Sequence, residues 1–480
     1  MREAIVDSLN RTAKLFIDSG AAASVEEAMA KLGTFTMHLT IDAAAAATPT
    51  YQAALLTALN CGLRSLLGGV TVDGALDAPL VTCVTGGHTL GDAVIELGGI
   101  VAPCPPDAPL VVIGGGAKAA PAKFAIRTTC DGWRGGIVPL ADVGLPLHAE
   151  FAVSGALAGA LAVAEVFAHL NGEAMAGHRS IGLSLWHLDS DRNWLQPHDD
   201  EPMVVDLPSD FWVIGLGHLG QAYLWTIGLL PYADPGDVRL FLQDVDRAGK
   251  STRSTSLLTR TGDERRLKTR ICADWAEQRG FATAIIERRF DSDFRRSAVE
   301  PGLALCGVDN PDARRILDEA GFTMVLEAGL GNGAEDFRLI RVHSFPAAKR
   351  AAAVWPANAQ PEDESDNGGR AAALKYQPAY LDLRDKGDLD ECGLTRLADV
   401  AVGAPFVGVT AAAIIVAQAV RAVAGGPRVM VANLDLRSVD YRSALTAPDA
   451  DLITFATAKA RKPWRPITLL GTVGQLAKQP

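Results

Sequence analysis

Residues 211–246, FWVIGLGHLGQAYLWTIGLLPYADPGDVRLFLQDVD, decide the predicted fold. An apolar strand runs directly into Gly215-x-Gly217-x-x-Gly220, which opens a helix, and a second strand follows. In such a unit Gly215 permits the tight turn, Gly217 lets the backbone approach a phosphate, and Gly220 allows the helix to pack against the strand. The N–H groups at the start of the helix favour an anion. The stretch therefore predicts an α/β unit with a nucleotide site.

The acidic pair after the second strand narrows the choice of nucleotide. Asp244 lies 24 residues after Gly220, which suits contact with ribose hydroxyls, and Asp246 is either catalytic or a cap for the following loop. A nicotinamide enzyme needs no polar cluster beyond this acid, because the cofactor does the chemistry. Here the chain continues QDVDRAGKSTRSTSLLTRTGDERRLKTRI, which is rich in Ser, Thr, Arg and Lys. This composition favours ATP over NAD.

A later strand end supplies groups for phosphate chemistry. The stretch LALCGVDNPDARRIL is typical of an apolar strand that ends at Asp309-Asn310 and opens a helix. A carboxylate at the carboxyl end of such a strand lies over the nucleotide crevice. We therefore expect Asp309 to hold Mg²⁺ against the phosphates, and Lys268 to neutralise charge from the other side.

Composition and charge exclude several classes of protein. At 480 residues the chain is too long for one typical core, so two domains are expected. The net charge of -11 argues against a nucleic-acid partner. Residues 400–420 are uncharged and long enough to span a bilayer, but a helix buried between domains is the preferred interpretation. The N-terminal MREAIVDSLNRTAKLFIDSG lacks the apolar run of a signal peptide, so we expect a cytoplasmic protein with no membrane partner.

The chain is predicted to have two halves, 1–205 and 206–480. Two Ala-rich segments, 151–172 and 406–425, both begin near a Phe and end at a Gly, with Glu or Gln seven residues before that Gly. They indicate either a duplication, with two related α/β layers packed face to face, or a similarity of composition alone. The first half has only TGGHTLGDAV (85–94) where the second has its glycine loop. We therefore expect the first half to be a scaffold.

The combined motifs resemble those of ubiquitin-activating (E1-like), ThiF/MoeB-type adenylyltransferases. Their pattern is GxGxxG, then DxDxVxxSNLxRQ, then a lysine in GxxKA, then a strand ending TDN before an Arg-containing helix. Over residues 210–426 this chain matches the pattern at Gly215, Gly217, Gly220, Asp244, Asp246, Ser251, Lys268, Asp309, Asn310 and Arg314. The resemblance implies that the glycines, the acidic pair and Asn310 bind ATP, that Lys268 and Asp309 are catalytic, and that Asp309 is the Mg²⁺ ligand.

The chain departs from the family at the arginine that contacts the ATP phosphates. Thr255 stands at that position, and Ser256 stands at the family's Gln. Either a neighbour, Arg253 or Arg260, replaces the arginine, or adenylation is impaired; we assign Arg253 to the nucleotide site. Arg11 either resembles the N-terminal arginine that such enzymes contribute across paired domains or is an exposed helix charge. This version of the motif is similar to the activating enzymes of bacterial ubiquitin-conjugation-like antiphage operons, whose N-terminal half is inactive.

Cys392 is the predicted catalytic thiol. The seven cysteines fit neither a disulfide framework nor a CxxC zinc pair. The resemblance implies a cysteine on a flexible loop after the TDN strand and before the last buried helix, and Cys392 ends an irregular stretch predicted at about 345–395. Thr395 and Arg396 follow it, as in activating enzymes whose Cys-x-x-Thr-Arg precedes the final helix. The alternative is an incidental surface cysteine.

The resemblance implies a two-step activity on a protein substrate. ATP adenylates the C-terminus of a ubiquitin-like protein, Cys392 takes the acyl group as a thioester, and an E2-like conjugating enzyme receives it, in antiphage defence. The implied α/β fold has two Rossmann-like adenylation-type domains, degenerate then active, which pair as an intramolecular pseudo-dimer with a possible homodimer. The alternatives are an adenylyltransferase for sulfur transfer or tRNA modification, an NAD-dependent oxidoreductase and a catalytically dead scaffold.

Overall fold

The N-terminal layer of the protein is a seven-stranded mixed sheet. The computed structural model describes residues 6–116, 122–189, 192–357, 372–447 and 456–461. The first sheet contains β1 (Thr36–Ile41), β2 (Gly69–Gly74), β3 (Ile100–Val101), β4 (Leu110–Ile113), β5 (Ala125–Asp131), β6 (Arg134–Pro139) and β7 (Ile181–Ser184). Their order across the sheet is β3-β2-β1-β4-β5-β6-β7. Strands β1 to β5 are parallel, and β6 and β7 continue the sheet antiparallel to their neighbours.

The C-terminal layer is an eight-stranded sheet. Its strands are β9 (Asp210–Ile214), β10 (Arg239–Gln243), β11 (Ala282–Ile286), β12 (Leu303–Cys306), β13 (Met324–Leu330), β14 (Leu339–Phe345), β15 (Val429–Asp435) and β16 (Ser443–Thr446). Their order is β11-β10-β9-β12-β13-β14-β15-β16. Strands β9 to β13 are parallel, and the last three pair antiparallel. A separate antiparallel pair joins β8 (Asp206–Pro208) to β17 (Thr457–Lys459).

Thirteen named helices surround these sheets in the part of the chain that the structure describes. They are α1 (Lys14–Asp18), α2 (Val25–Gly33), α3 (Ala43–Ala46), α4 (Pro49–Ser65), α5 (Leu90–Leu97), α6 (Ala152–Leu170), α7 (His218–Gly228), α8 (Lys268–Glu277), α9 (Pro311–Arg315), α10 (Ala351–Val354), α11 (Pro378–Asp385), α12 (Glu391–Asp399) and α13 (Pro405–Val423). Short 3-10 turns lie at Pro235–Asp237, Lys250–Ser254 and Val439–Tyr441.

The two sheets repeat one topology. In each, the first strand lies between the second and the fourth, the first five strands are parallel, and antiparallel strands follow. The Ala-rich helices α6 and α13 occupy equivalent places, between the sixth and seventh strands of their layers. The similarity of 151–172 and 406–425 therefore reflects duplication rather than composition alone. The predicted fold class, with two Rossmann-like α/β layers, is confirmed.

Four helices form the buried contact between the layers. Helix α6 packs against α4 of its own layer and α13 of the other layer, and α13 packs against α7. Small side chains permit this, because a Cβ at Gly155 would overlap the carbonyl oxygen of Thr50. Trp225 in α7 donates from Nε1 to Thr57 Oγ1 in α4 at 3.0 Å, which joins the layers through a buried polar contact.

Among the described residues, two helices are apolar and long enough to cross a membrane by length and composition. They are α6 and α13, and 89% of each scanned window is buried inside the protein. The predicted burial of the 400–420 segment between domains is confirmed for α13, which contacts helices of both layers. The second such helix, α6, was not predicted from the sequence.

The segment 345–395 is more regular than predicted. It contains α10, α11 and the start of α12, and its residues 358–371 lie outside the described part of the chain. Helix α11 is tied to α1 by Tyr380, whose hydroxyl donates to Asp18 at 2.9 Å, and Asp18 pairs with Lys14. The apolar positions Leu383, Leu394 and Leu397 explain the helices, since all three are buried.

Candidate active site

The candidate site lies at the carboxyl edge of three adjacent strands. Ile214 at the end of β9 is in register with Gln243 of β10 on one side and Cys306 of β12 on the other. The chain leaves β9 to form β10 on one flank, and β12 lies on the opposite flank. This is the topological switch point at which open α/β sheets bind ligands, and it lies between β9 and β12.

The glycine loop has three distinct local geometries. Gly215 has φ of 80°, and a Cβ there would come within 2.9 Å of Val308. A Cβ at Gly220 would overlap the carbonyl oxygen of Gly215, so the first turn of α7 lies directly against the loop. A Cβ at Gly217, the N-cap of α7, would meet no atom within 4 Å among the described residues. Gly217 therefore faces open space at a helix N-terminus, where a phosphate is favoured.

Asp244 fixes the loop against the neighbouring strand. Its Oδ2 accepts from the N–H of Leu216, and its Oδ1 accepts from the N–H of Asp246, both at 2.7 Å. Each carboxylate oxygen has a second lone pair, so Asp244 can still accept a hydroxyl hydrogen bond. The structure thus adds a positioning role to the predicted ribose contact.

Lys268 and Asp246 form the charged wall of the crevice. Lys268 is the first residue of α8, and its backbone N–H donates to the carbonyl oxygen of Asp246 at 3.0 Å. Its Nζ lies 2.9 Å from Asp246 Oδ2. The Lys268 side chain is 15% exposed and that of Asp246 is 65% exposed. The lysine is therefore held by packing, while the carboxylate remains open to solvent.

Asp309 and Asn310 lie beyond the end of β12, and both are exposed. The Asn310 side chain accepts from the N–H of Asp312 at 2.8 Å, so it caps α9. Arg314 in the same helix donates to the carbonyl oxygen of Val308 at 2.8 Å and pairs with Glu327 at 3.1 Å. The turn that carries Asp309 is therefore held by Arg314, which is itself paired with the buried carboxylate of Glu327.

The structure places Arg11 in this crevice, although it precedes the first strand by many residues. Its Nη1 donates to the carbonyl oxygen of Ala401 at 3.3 Å, and its backbone N–H donates to Ser254 Oγ at 3.1 Å. Burial lowers the pKa of Arg11, while the negative charges of Asp309 and Asp7 oppose that shift. The guanidinium stays charged, because its ordinary pKa is above 12. Of the two interpretations, the contact across the layers is the one that the structure supports.

His218, the residue after Gly217, is packed against the last long helix. A Cβ at Gly408 would come within contact of its imidazole ring, and a Cβ at Gly403 would lie 3.8 Å from its Nδ1. Burial lowers the pKa of His218 to about 4, and the positive charge of Arg11 adds to the shift. The imidazole is therefore neutral at pH 7, and it does not compete with Arg11 for an anion.

The two predicted replacements for the arginine missing at Thr255 are Arg253 and Arg260. Both lie away from the nucleotide crevice. Thr255 itself is buried, and its methyl group faces Gly403. Arg253 donates from Nη1 to Thr261, and Arg260 pairs with Glu96 of the N-terminal layer at 2.6 Å. Both line a separate cavity, so the assignment of Arg253 to the nucleotide site is not supported by its contacts. Of these three arginines, Arg11 is the one whose pKa the negative charge of Asp309 affects.

Cys392 is the exposed member of the seven cysteines, all of which lie in described residues. It occupies the first turn of α12, where Asp390 is the N-cap and accepts from Gly393 at 2.9 Å. The prediction that Cys392 lies on a flexible loop is therefore wrong. The residue is helical because Leu394 and Leu397 bury one face of α12. Thr395 donates to the carbonyl oxygen of Glu391 at 2.8 Å.

The other cysteines are poor nucleophile candidates. Burial raises the pKa of the thiols at Cys61, Cys130 and Cys272, and it raises that of Cys306 to about 12. Cys83 and Cys104 are half-buried. Since the thiolate is the reactive form, exposure at Cys392 makes it the thiol best suited to chemistry.

Comparison with known proteins identifies the family. The model of the BilD C-terminal domain matches residues 207–426, and that of the BilD N-terminal domain matches residues 36–185. The bacterial E1-like protein BilD of Collimonas sp. (strain OK412) is 43% identical over 423 residues, which are 87% of this chain and 89% of that protein. The chain belongs to the BilD family of bacterial E1-like proteins. The predicted resemblance to E1-like enzymes is confirmed.

Solved structures of MccB from E. coli show a weaker likeness. MccB with ATP has a TM-score of 0.32 at 11% identity, covering 52% of this chain and 66% of that chain. MccB in complex with N-formylated MccA has a TM-score of 0.33 at 11% identity, covering 52% and 67%. Membership of the BilD family follows from the sequence matches rather than from this low structural similarity.

In this BilD family member, the described residues that follow β1 in the N-terminal layer include no equivalent of the glycine loop. By topology, the counterpart of the glycine loop 215–220 follows β1. The predicted counterpart, residues 85–94, lies instead after β2 and leads into α5. After β1 stands Asp42, whose Oδ1 accepts from the N–H of Ala45 at 2.8 Å. A carboxylate therefore occupies the helix start where a phosphate would lie. Its negative charge opposes anion binding at that place.

Two contributors to the site escaped the sequence analysis. Glu327 is fully buried; its Oε1 pairs with Arg314 Nε at 3.1 Å, and its Oε2 lies 2.9 Å from His343 Nδ1. Its signal was a lone carboxylate within the apolar strand MVLEAGL. Arg64 donates to the carbonyl oxygen of Leu257 at 2.7 Å and so braces the segment after Ser251 from the other layer. An arginine near the end of an Ala-rich helix gave no comparable signal.

Proposed function

We propose that this BilD family member activates the C-terminus of a ubiquitin-like protein with ATP, then passes it through a thioester to an E2-like conjugating enzyme. The observation that carries the proposal is the convergence of Gly217, Lys268, Asp309 and Arg11 on one strand edge. A helix N-terminus, a fixed lysine, an exposed carboxylate and an arginine are the groups that a metal-bound triphosphate requires.

Mg²⁺ fits the residues present at this edge. Asp309 is exposed at a strand end, and the Asp246 side chain is 65% exposed. Mg²⁺ usually takes one or two carboxylates and completes its shell with water and phosphate oxygens, so a full protein cage is not needed. Asp309 would hold the ion. The bound ion would neutralise phosphate charge during nucleotidyl transfer.

The chain's own groups then serve adenylation. The substrate carboxylate attacks the α-phosphorus of ATP, the bond to the β-phosphate breaks, and pyrophosphate leaves. Lys268 and Arg11 present fixed positive charges to the oxygens on which negative charge grows. Gly217 admits the phosphates to the start of α7, because no side chain fills that space. The buried, neutral His218 beside the loop adds no positive or titrating charge to this anion site.

Cys392 would take the acyl group in the second step. Its thiolate attacks the acyl carbon of the adenylate, and AMP leaves as the thioester forms. Cys392 and Asp399, at the end of α12, are seven residues apart, which is about 10 Å of helix at 1.5 Å per residue. Ala401, two residues beyond α12, contacts Arg11 in the crevice. Cys392 therefore lies at the N-terminal end of α12, whereas the C-terminal end of α12 is the one near the crevice. We expect α12 to move so that the thiol can take the acyl group.

Pyrophosphate exchange into ATP, measured with a candidate ubiquitin-like protein, tests adenylation. Exchange that depends on the protein's free C-terminus supports the proposal, and its absence with intact protein binding would favour a catalytically dead scaffold. A reductant-sensitive conjugate that is lost in Cys392→Ser, while exchange continues, supports conjugation. Exchange without any conjugate would favour an adenylyltransferase for sulfur transfer.

A further inference from the structure

A second cavity lies between the two layers, apart from the nucleotide crevice. Its volume is about 580 Å³, and its walls come from α4, α5 and α8 and from the segment 250–261. Gly217, Lys268 and Asp309 are not among its lining residues. Cavities of this size accommodate small organic ligands. Trp225 and Trp275 supply part of the wall.

The cavity carries an excess of positive charge. Four cationic side chains line it, and Glu96 is the one carboxylate among the lining residues that the structure describes; the cations are Arg64, Lys250, Arg253 and Arg260. The pKa of Arg64 is lowered to about 10, mainly by burial; the charge of Cys61 opposes the shift, and the charges of Arg253 and Arg260 add to it. Burial lowers the pKa of Arg279 to about 10; the charge of Glu96 opposes that shift, and the charge of Arg260 adds to it. These cations repel one another with too little negative charge between them.

The arginines differ in how their donors are used. Arg64 is committed to the protein, because it donates to the carbonyl oxygens of Arg253, Leu257 and Thr259 and to Asn60 Oδ1. Arg253 uses Nη1 on Thr261, and Arg260 uses Nη2 on Glu96. Both guanidiniums thus keep further N–H groups that no hydrogen bond in the described part of the chain employs. A guanidinium presents five donors in a planar fork suited to phosphate.

We propose that this cavity binds a small molecule that carries phosphate groups, held by Arg253 and Arg260 with Lys250 at its rim. Arg64 acts as a positioning residue, because it donates hydrogen bonds to backbone carbonyl groups of the segment 250–261 that carries Arg253 and Arg260. An anion in the cavity would offset the positive charge that Arg64, Lys250, Arg253 and Arg260 bring together there. This site is separate from adenylation and does not depend on the proposed function.

Binding there acts on the segment that also faces the crevice. Ser254, one residue after Arg253, accepts the backbone N–H of Arg11 at 3.1 Å. Thr255 packs on Gly403 next to Arg11 and His218. A ligand that fixes Arg253 and Arg260 therefore steadies the contact between Arg11 and the crevice, and it links the two layers.

Calorimetric titration of inorganic pyrophosphate into the full chain, without nucleotide or metal, tests the proposal. We expect binding that weakens at least about tenfold in the double variant Arg253→Gln, Arg260→Gln, in line with the loss of two charge-assisted contacts. Lys268→Met, which alters only the crevice, is expected to retain the binding. Arg341→Gln is the charge-matched control, since Arg341 is exposed on β14 and contacts Asn433.

Loss of binding in a variant could also result from misfolding, so a variant that is expected to bind pyrophosphate more tightly is a second test. Glu96→Gln removes the negative charge beside Arg260 but keeps an oxygen for the N–H of Gly86, which donates to Glu96 Oε2. We expect Glu96→Gln to bind pyrophosphate about threefold or more tightly. Absence of pyrophosphate binding to the unaltered chain, unchanged affinity in the double variant, or loss of binding in Lys268→Met would each overturn the proposal.

Discussion

Nη1 of Arg11 donates to the carbonyl oxygen of Ala401 at 3.3 Å, which joins a segment before the first strand to the turn between α12 and α13. Two further bonds reinforce the contact. The N–H of Gly403 donates to the carbonyl oxygen of Arg11 at 3.2 Å, and Thr12 Oγ1 donates to the carbonyl oxygen of Gly403 at 2.9 Å. The N-terminal segment is thus part of the C-terminal layer's crevice, which gives a physical reason for keeping both layers in one chain.

Replacement of Arg11 is expected to impair adenylation more than folding. In Arg11→Ala the charge that faces Asp309 is lost, and removal of one such group from a transition-state site costs about 10²- to 10³-fold in rate. Pyrophosphate exchange measures the effect. Arg341→Ala is the matched control and should retain exchange within about twofold. Equal rates for the Arg11 variant and the unaltered chain would exclude an electrostatic role for Arg11.

Two glycines of one loop should respond to alanine in opposite ways. Gly217→Ala adds a methyl group in open space, so the protein should fold with a stability change within about 0.5 kcal/mol and yet bind nucleotide at least about tenfold more weakly. Gly220→Ala forces a methyl group onto the carbonyl oxygen of Gly215, so this variant should be strongly destabilised. Denaturant unfolding and nucleotide titration separate the two. Normal nucleotide affinity in a folded Gly217→Ala would be incompatible with a phosphate at α7.

Acid should destabilise the protein through His218. Burial holds its pKa at about 4, whereas an unfolded histidine titrates at about 6.5. Between these pH values the unfolded chain binds a proton that the folded chain does not, so stability falls as the pH falls from about 6.5 to about 4. The two pKa values differ by about 2.5, which corresponds to roughly 3 kcal/mol of stability. Urea unfolding at several pH values should show a shallower slope in His218→Gln, and identical slopes would contradict this.

Cys392 should be the fastest thiol to react with a small alkylating reagent in the native protein. It is exposed, whereas four of the other cysteines are buried and two are half-buried. Mass-spectrometric mapping after limited labelling should find one modified site, and Cys392→Ser should remove most of the early label. Cys83→Ser is the matched control. Preferential labelling of Cys83 or Cys104 would show that Cys392 is covered.

Much of the fold was predictable because its signals are local. The glycine loop, the acid after β10 and the Asp309 strand end each lie within a few residues of a buried strand, so their pattern fixes both strand and crevice. The duplicated helices α6 and α13 were visible as Ala-rich segments for the same reason, since close helix packing requires small side chains along a whole face.

The rest was not predictable because it depends on contacts between distant segments. Arg11 reaches Ala401 across 390 positions, and Arg64 reaches Leu257 across 193 positions. The counterpart of the glycine loop was misplaced to 85–94 because that stretch contains glycines, whereas the topology assigns the position to Asp42 after β1. Cys392 was predicted to lie in a loop because the residues around it are largely acidic. The helix that it belongs to buries only two leucines and one alanine, which is a weak apolar pattern.

Calorimetric titration of Mg-ATP into the full chain tests the central claim most directly. We predict binding of one nucleotide per chain, which is lost in Lys268→Met, retained in Arg341→Gln and not reproduced by NAD. Failure of Mg-ATP to bind, or binding of NAD with no effect of ATP, would contradict the assignment of the crevice between Gly217 and Asp309 to a triphosphate.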